Sequence, residues 1–192
     1  MQHSTTTISD EEILDLLQKG NNPERGFKLL MSKYQERLYH HIRRMVKEHD
    51  DANDVMQNTF IKVFRNIQKF ERNSQLYTWL YRIATNETIT FLNKKKRKVT
   101  TSIDDEALRV AHRLSADTYF DGDAAQMILQ NAVAILPDKQ KLVFNLRYYD
   151  EMSYQAISDV LKTSVGALKA SYHHAVKKIE QYIKEEVAKG KI

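Results

Sequence analysis

The side chains in this sequence that could do chemistry are suited to binding a polyanion, and many of them lie between positions 76 and 98. A helix there would share one face among Thr78, Arg82, Asn86, Ile89 and Asn93. The basic run Lys94-Lys95-Lys96-Arg97-Lys98 follows directly. Amide side chains above a basic helix end suit a phosphate backbone with exposed bases beside it. A lysine run can equally be a solvated helix end, so both interpretations stay open.

Aromatic residues on the same helix indicate which form of nucleic acid this surface would bind. Tyr77 and Tyr81 lie beside the polar face, and aromatic rings can stack on unpaired bases. Trp79 and most of the other aromatics are expected in the core. An aromatic-rich helix, a polar loop over residues 70–75 and a basic terminus together fit single-stranded nucleic acid better than duplex.

A second candidate for nucleic-acid binding lies between Ser153 and Ala175, where two short amphipathic helices are predicted. Tyr154, Ile157 and Leu161 share one face of the first helix. The second helix has its own apolar face, which consists of Val165, Leu168, Tyr172, Val176 and Ile179. Ser164 can cap the second helix, and Lys162-Thr163 fills the turn. The pattern is typical of a DNA-binding helix-turn-helix, although an ordinary antiparallel helix pair would share it.

The predicted third helix has an unusual polar face. Its core stripe contains Ala52, Val55, Met56, Thr59, Phe60, Val63, Phe64 and Ile67. The opposite face contains Asp54, Gln57, Asn58, Ile61 and Arg65. Ile61 is an apolar residue centred on this polar face. It is either a lone exposed aliphatic, which is common, or the apolar centre of a protein contact with a polar rim.

The sequence does not favour an enzyme. The pairs His40-His41 and His173-His174 are adjacent, and neighbours on a helix point about 100° apart. They are therefore poor metal ligands, and we expect them to be surface or phosphate-facing groups. No carboxylate pair, nucleophile–base set or phosphate loop stands out, so we expect no catalytic residue, metal, cofactor or small-molecule substrate.

Composition narrows the class of protein. The 192 residues are 42% hydrophobic, which is enough for a core, and 5 Gly with 2 Pro favour long helices. A net charge of +5 favours a polyanionic partner, and 0 Cys is compatible with a reducing cytosol. No apolar run reaches the roughly 20 residues that span a bilayer. Residues 1–10 are polar and lack the apolar core of a secretion signal. We expect a soluble, cytoplasmic, helical protein without membrane insertion.

Breaks in the helical periodicity predict the organisation of the chain. Ser9 and Glu12 form a capping box for a first helix, and Pro23 starts the second after the break at residues 19–22. His49-Asp50-Asp51 reads as a polar break before a third helix from Ala52 to about Phe70. A fourth helix runs from Leu76 toward Lys94, after a break at residues 73–75.

An acidic segment separates this block from a second helical one. Residues 100–123 contain Asp104, Asp105, Glu106, Asp117, Asp121 and Asp123. We expect at most a short helix there, around Ala107–Leu114. Periodicity returns at Ala124, with interruptions at Pro137 and at residues 149–151. The predicted fold is all-α, with two small helical domains at 1–99 and 124–192 joined by a flexible acidic linker at 100–123.

With both blocks in view, the chain resembles a bacterial extracytoplasmic-function sigma factor, from about Glu11 to Ile183. Residues 54–64, Asp-Val-Met-Gln-Asn-Thr-Phe-Ile-Lys-Val-Phe, are similar to the polymerase-binding helix of that family. Residues 79–86, Trp-Leu-Tyr-Arg-Ile-Ala-Thr-Asn, resemble its Trp-Leu-x-x-Ile-Ala-x-Asn stretch. Leu136-Pro137 and the Ser153-Tyr154-x-x-Ile157 segment resemble its C-terminal domain. The order and spacing of these fragments make the resemblance specific.

The resemblance implies a role for each surface. The residues expected to dock on core RNA polymerase are Asp54, Gln57, Asn58, Ile61 and Arg65. Those expected to open and read the minus-ten element are Asn73, Ser74, Gln75, Tyr77, Arg82, Asn86, Asn93, Lys96 and Arg97. Those expected at the minus-thirty-five element are Ser164, Lys169, Ser171, His173, His174 and Lys177. The acidic linker would thread toward the active centre and RNA exit path, although an acidic linker could equally be solvation.

Two departures from the family pattern limit what it implies about promoter sequence. The recognition helix, usually Gly-Thr-Val-Lys-Ser-Arg, reads Gly-Ala-Leu-Lys-Ala-Ser over residues 166–171. Ser171 replaces an arginine, which is the commonest bidentate partner of guanine. In the fourth helix, Thr90 and Asn93 stand where the family often has Asp and Arg. We therefore expect phosphate contacts to dominate the C-terminal domain.

The expected partners are core RNA polymerase, promoter DNA as duplex and melted strand, and an anti-sigma factor that is membrane-bound or soluble. Two other functions stay open at this point. A helix-turn-helix regulator would bind duplex DNA without being a polymerase subunit. A helical adaptor with no nucleic-acid role would leave the basic run beside the aromatic helix unexplained.

Overall fold

The computed structural model describes residues 8–20, 22–46, 48–99 and 124–188. Eight α-helices lie within these ranges, with no β-strand among the described residues. They are α1 (Asp10–Gln18), α2 (Pro23–Val46), α3 (His49–Asn66), α4 (Leu76–Val99), α5 (Ala124–Ala134), α6 (Asp138–Tyr148), α7 (Tyr154–Leu161) and α8 (Val165–Ala188). A 3₁₀ turn at Ile67–Lys69 follows α3. Two compact units, one mainly of α1–α4 and one mainly of α5–α8, confirm the all-α, two-domain prediction. The predicted linker, residues 100–123, lies outside the described residues.

The first helix begins and ends, and the second helix begins, where the sequence predicts. The Ser9 hydroxyl accepts from the Glu12 amide at 3.2 Å, and the Glu12 carboxylate accepts from the Ser9 amide at 2.9 Å. This capping box lowers the pKa of Glu12, chiefly through the Ser9 amide. Gly20 has a φ of +75°, which suits glycine after a helix end, and Pro23 is the first residue of α2.

The N-terminal unit is held together by the apolar faces of α1–α4. Its fully buried side chains include Ile13, Leu17, Leu30, Leu38, Ile42, Val55 and Leu80. The α1 and α2 helices approach closely at Gly26, where a Cβ would lie 2.9 Å from Leu17 Cγ. A side chain at position 26 would therefore push α1 away from α2.

Three predicted helix boundaries in the N-terminal unit are wrong. His49-Asp50-Asp51 is the first turn of α3, because carboxylates are favourable near a helix N-terminus. The α-helical part of α3 ends at Asn66, before the 3₁₀ turn. The α4 helix continues through the basic run to Val99, since lysine and arginine are good helix formers.

The C-terminal unit has a hydrophobic core to which α5, α6 and α8 contribute. One cluster of this core consists of Ala132, Val133, Leu136, Phe144, Ala175 and Ile179. Partly buried tyrosines pack against it, and the ring of Tyr172 stacks on Phe144 with centroids 5.8 Å apart. The helix-turn-helix is present as predicted, except that its second helix is not short: α8 has 24 residues. The α8 helix packs on α5 and α6 and contributes Ala175 and Ile179 to the core. Its later turns therefore hold its first turns in place.

Candidate surfaces for polymerase and promoter binding

An open apolar groove runs between α2 and α3. We call it the docking groove; it has a volume of about 750 Å³ and is lined by Phe27, Met31, Gln35, Asn53, Met56, Gln57, Phe60, Ile61, Phe64 and Arg65. The ring of Phe27 meets Phe60 and Phe64 edge to face, with centroids 6.0 and 5.3 Å apart. Edge-to-face packing fixes the rings while leaving part of their surface in water.

The most exposed large hydrophobic side chain of the docking groove was not predicted to be exposed. Phe64 was expected in the core stripe of α3, but it is 58% exposed. It lies at the edge of the stripe nearest to Ile61, which is 42% exposed. The packing of α2 against α3 covers the centre of the stripe and leaves this edge open. Two large apolar residues thus lie together at the surface, which is typical of a protein interface.

Three of the five residues predicted for polymerase docking line the docking groove, namely Gln57, Ile61 and Arg65. Asp54 and Asn58 are exposed on α3 but do not line it. Phe27 and Met31 of α2 were missed. Their place on the apolar side of α2 indicated core, and only the packing of α2 on α3 shows that they reach the surface.

The predicted polar face of α4 is only partly exposed. Asn86, Ile89 and Asn93 are exposed, as are Lys96 and Arg97 at the basic end, whereas Arg82 and Tyr77 are half-buried. The Arg82 Nε is buried without a hydrogen-bond partner among the described residues.

Three predictions about polar and aromatic side chains near α4 are wrong. Thr78 is 4% exposed rather than on the open face, and Tyr81 is 1% exposed and cannot stack on a base. The Tyr81 ring packs on His41 with centroids 5.0 Å apart. His41 is fully buried instead of facing phosphate, and its Nε2 lies 3.0 Å from the Thr85 hydroxyl. This hydrogen bond satisfies a polar group that would be costly to bury alone.

The loop Phe70–Gln75, which precedes α4, is fixed at its base. Phe70 is buried, and its ring lies 5.1 Å from that of Trp79. Asn73 and Gln75 are exposed and Ser74 is half-buried. The loop therefore presents amide side chains to solvent next to the half-buried Tyr77.

Each helix of the helix-turn-helix begins with a serine N-cap, Ser153 for α7 and Ser164 for α8. The Ser153 hydroxyl accepts from the Ala156 amide at 3.1 Å, and the Ser164 hydroxyl accepts from the Ala167 amide at 3.3 Å. Between the helices, Lys162 has a φ of +53°, a left-handed conformation that allows the sharp turn.

The outward face of the first half of α8, the recognition helix, carries exposed lysine and histidine side chains. Lys169, His173, His174 and Lys177 are exposed, and Ser171 is half-buried. The Lys169 Nζ lies 5.9 Å from the centre of the Tyr154 ring, which supports the lysine stem. The predicted residues are thus together on one helix, with Ser171 the least accessible.

Comparisons with known proteins identify the two units. The Sigma-70 region 2 family matches residues 30–98, and the Sigma-70, region 4 family matches residues 126–179. The chain is 30% identical to the ECF RNA polymerase sigma factor SigW of Bacillus subtilis, over 83% of this chain and 90% of that protein. The chain belongs to the ECF RNA polymerase sigma factors. The RNA polymerase sigma-H factor of Pseudomonas aeruginosa is 29% identical, over 92% of this chain and 94% of that protein.

Solved structures confirm the sigma-factor fold. The sigma factor RpoE, in complex with the anti-sigma factor NepR from Bartonella quintana, matches with a TM-score of 0.67 and 21% identity. The match covers 83% of this chain and 98% of that chain. CnrH, in complex with the cytosolic domain of CnrY, matches with a TM-score of 0.66 and 20% identity, over 92% of this chain and 98% of that chain.

Two further findings concern the described residues alone. None of the helices there is long and apolar enough to cross a membrane. No three or more histidine, aspartate or glutamate side chains gather there as a metal site would require. The region 2 match contains nearly all of α4 and every lining residue of the docking groove except Phe27, and the region 4 match contains the predicted helix-turn-helix at residues 153–175. The sigma factor thus has most of each candidate surface within a matched segment.

Proposed function

We propose that this sigma factor binds core RNA polymerase through the docking groove and its polar rim. Asp54, Gln57, Asn58, Ile61 and Arg65 would contact the coiled coil of the polymerase clamp, together with Phe64. The observation that carries this proposal is the exposure of Ile61 and Phe64 side by side in a groove rimmed by polar side chains. Burial of such a pair away from water is the main source of affinity in many protein interfaces.

The second half of the proposal assigns the promoter contacts. The loop and α4 would open and read the minus-ten element through Asn73, Ser74, Gln75, Tyr77, Arg82, Asn86, Asn93, Lys96 and Arg97. The exposure of Asn73, Gln75 and Asn86 supports this, because unpaired bases are recognised through hydrogen bonds to their edges. The recognition helix would bind the minus-thirty-five element through Ser164, Lys169, Ser171, His173, His174 and Lys177, largely by phosphate contacts.

The proposed functional domains are residues 1–99 for polymerase and minus-ten binding and residues 124–192 for minus-thirty-five binding. Residues 100–123 would connect them and thread toward the active centre, where their carboxylates would take the place of nucleic-acid phosphates. Under this proposal the protein is an initiation subunit without a catalytic site of its own. It would act in the cytoplasm, where the polymerase and the chromosome are.

An anti-sigma factor, membrane-bound or soluble, is the proposed regulator. One solved sigma factor of the same fold, RpoE, was co-crystallised with the anti-sigma factor NepR. A partner that covers the docking groove would compete with core polymerase for the exposed Ile61 and Phe64. The sequence contains 0 Cys, so a thiol-based signal would have to act on the partner.

Size-exclusion chromatography with purified bacterial core RNA polymerase tests the proposal. The full chain is expected to co-elute with core polymerase, while free protein binds duplex promoter DNA weakly. A helix-turn-helix regulator would show the reverse. Failure to co-elute, with tight binding of the free chain to duplex DNA, would overturn the sigma-factor mechanism proposed here.

A further inference from the structure

The end of α1 is joined by side-chain hydrogen bonds to the base of the loop at residues 70–75. We call this loop the minus-ten loop, after the role proposed for it above. The Gln18 Nε2 donates to the carbonyls of Ile67 and Phe70 at 3.0 and 2.8 Å. In the opposite direction, the Gln68 Nε2 donates to the Leu17 carbonyl at 2.6 Å. These bonds satisfy backbone carbonyls just where α3 ends and the chain turns toward the loop. They fix one end of the loop to a helix that is distant in sequence.

Arg72, inside the loop, makes a second connection to α1. Its Nε and Nη2 donate to the Gln18 Oε1 at 3.1 and 3.0 Å, and its Nη2 also donates to the Asp15 Oδ1 at 2.7 Å. Hydrogen bonds from Lys19 and Arg72 lower the pKa of Asp15, so its carboxylate is charged at neutral pH. The carboxylate therefore remains an acceptor under physiological conditions.

The backbone of Arg72 is in the left-handed region, with a φ of +59°. A side chain with a Cβ adopts this conformation at a cost in free energy, and such a conformation persists where surrounding contacts over-determine it. Here the surrounding contacts are those with Asp15 and Gln18. On the other side, Phe70 packs on Trp79. The loop is thus held at its base and at Arg72, and its following residues, Asn73 to Gln75, point toward solvent or lie half-buried.

We propose that α1 positions the minus-ten loop for capture of unpaired promoter bases, with Asp15 and Gln18 as the positioning residues. The proposal rests on the role proposed above for Asn73, Ser74 and Gln75. It extends that role to α1, since Asp10–Gln18 lies outside residues 30–98 that match Sigma-70 region 2. Extrusion of a base from a duplex costs a few kcal/mol. A loop already held in one conformation loses less entropy when it captures that base.

Transcription by reconstituted holoenzyme separates positioning from folding. The variants are Gln18→Ala, Arg72→Ala and the double variant, each as the full chain with core RNA polymerase. Glu11→Ala, at an exposed position of the same helix, is the matched control. Each holoenzyme is given a duplex promoter fragment from which wild type initiates, and the same fragment with its minus-ten segment mismatched and therefore already open. Core-polymerase affinity is measured in parallel.

The proposal predicts that either single variant opens the duplex promoter about fivefold to tenfold more slowly, the shift that loss of one or two hydrogen bonds produces. The double variant should be slower than either single variant but by less than the product of the two single defects, because both variants lose the bonds between Arg72 and Gln18 and each also loses bonds of its own. On the mismatched fragment all variants should start transcription within about twofold of wild type, since the cost of base extrusion is absent. Core-polymerase affinity and the Glu11→Ala control should match wild type.

Several results would overturn the proposal. Equal defects on duplex and mismatched fragments would mean that the variants lose folded protein rather than loop position. A double-variant defect equal to the product of the two single defects would mean that the bonds between Arg72 and Gln18 do not contribute to promoter opening. Promoter opening at the wild-type rate by both single variants would mean that α1 has no role in promoter opening. If wild-type holoenzyme itself fails to initiate on any fragment, the proposed function fails and this inference fails with it.

Discussion

The docking groove exposes large apolar side chains, whereas the recognition helix exposes cationic and small ones. In the docking groove, Phe64 and Ile61 lie beside Phe27 with few charges near them. On the recognition helix, Lys169 and Lys177 are exposed. Apolar burial gives affinity that depends little on salt, and phosphate contacts give affinity that depends strongly on it. Under the proposed assignment, salt should therefore distinguish the two surfaces: polymerase binding should depend on it little and promoter binding strongly.

Truncation of the docking groove should have the largest effect. We expect Ile61→Ala with Phe64→Ala to weaken core-polymerase binding by about 3 kcal/mol, or roughly 100-fold, because both residues are central and apolar. The affinity loss should be the same at low and high salt. Val187→Ala, an exposed aliphatic residue at the end of α8, is the control and should bind normally. A competition assay with labelled wild-type protein measures both. A loss of polymerase affinity that depends strongly on salt would contradict the proposed difference between the two surfaces.

Removal of a single lysine from the recognition helix should have a smaller effect with the opposite salt behaviour. Lys169→Ala should weaken holoenzyme binding to duplex promoter by about 1 kcal/mol and reduce the slope of log affinity against log salt by about 1. Lys184 is exposed near the C-terminal end of α8, beyond the proposed DNA contacts, and Lys184→Ala is the control. Filter binding over a range of salt concentrations gives the slope. Equal slopes for the two variants would remove Lys169 from the DNA interface.

The two serine caps can separate an effect on stability from an effect on DNA binding within the C-terminal domain. Ser153→Ala and Ser164→Ala should each lower the free energy of unfolding by about 1 kcal/mol, since each loses a helix cap. Only Ser164→Ala should also weaken promoter binding, because it begins the recognition helix. Urea unfolding and filter binding measure the two quantities. Similar promoter binding by both variants would place Ser164 outside the interface.

The smallest expected effect concerns the turn between α7 and α8. Lys162→Gly should raise the free energy of unfolding by about 0.5 kcal/mol, because relief of the left-handed backbone exceeds the entropy lost with glycine. Lys162→Ala keeps the Cβ and should give no gain. Promoter binding should not change, since the proposed contacts lie on α8. If Lys162→Ala stabilised the protein as much as Lys162→Gly, the effect would come from loss of the lysine charge and not from relief of the backbone.

Features set by neighbours in sequence were predictable, and features set by distant residues were not. The Ser9–Glu12 box, Pro23 and the Ser164 cap each depend on a few adjacent positions, and all three are confirmed. The exposure of Phe64 depends on how α2 covers α3. The contact between Arg72 and Gln18 spans 54 positions, and no local pattern indicates it. Helical periodicity predicts which residues share the apolar face of a helix. It does not predict which of them a neighbouring helix covers and which stay exposed.

The residues placed on the two candidate surfaces of the N-terminal unit differ in how well their exposure was predicted. Gln57, Ile61 and Arg65 were predicted from the resemblance and do line the docking groove. Tyr81 and Thr78 were placed near the nucleic-acid face by helical spacing alone, and both are buried. The aromatic-rich side of α4 packs against the rest of the N-terminal unit, so of the two tyrosines only Tyr77 has part of its side chain in solvent.

Run-off transcription on genomic DNA fragments tests most directly whether one chain joins polymerase to promoters through two different surfaces. Core RNA polymerase with the full chain should start transcription at a limited set of shared positions. Ile61→Ala with Phe64→Ala should abolish these transcripts at any salt, and Lys169→Ala should weaken them mainly as salt rises. The same transcripts from core polymerase alone, or no promoter-specific transcript with the full chain, would contradict this mechanism.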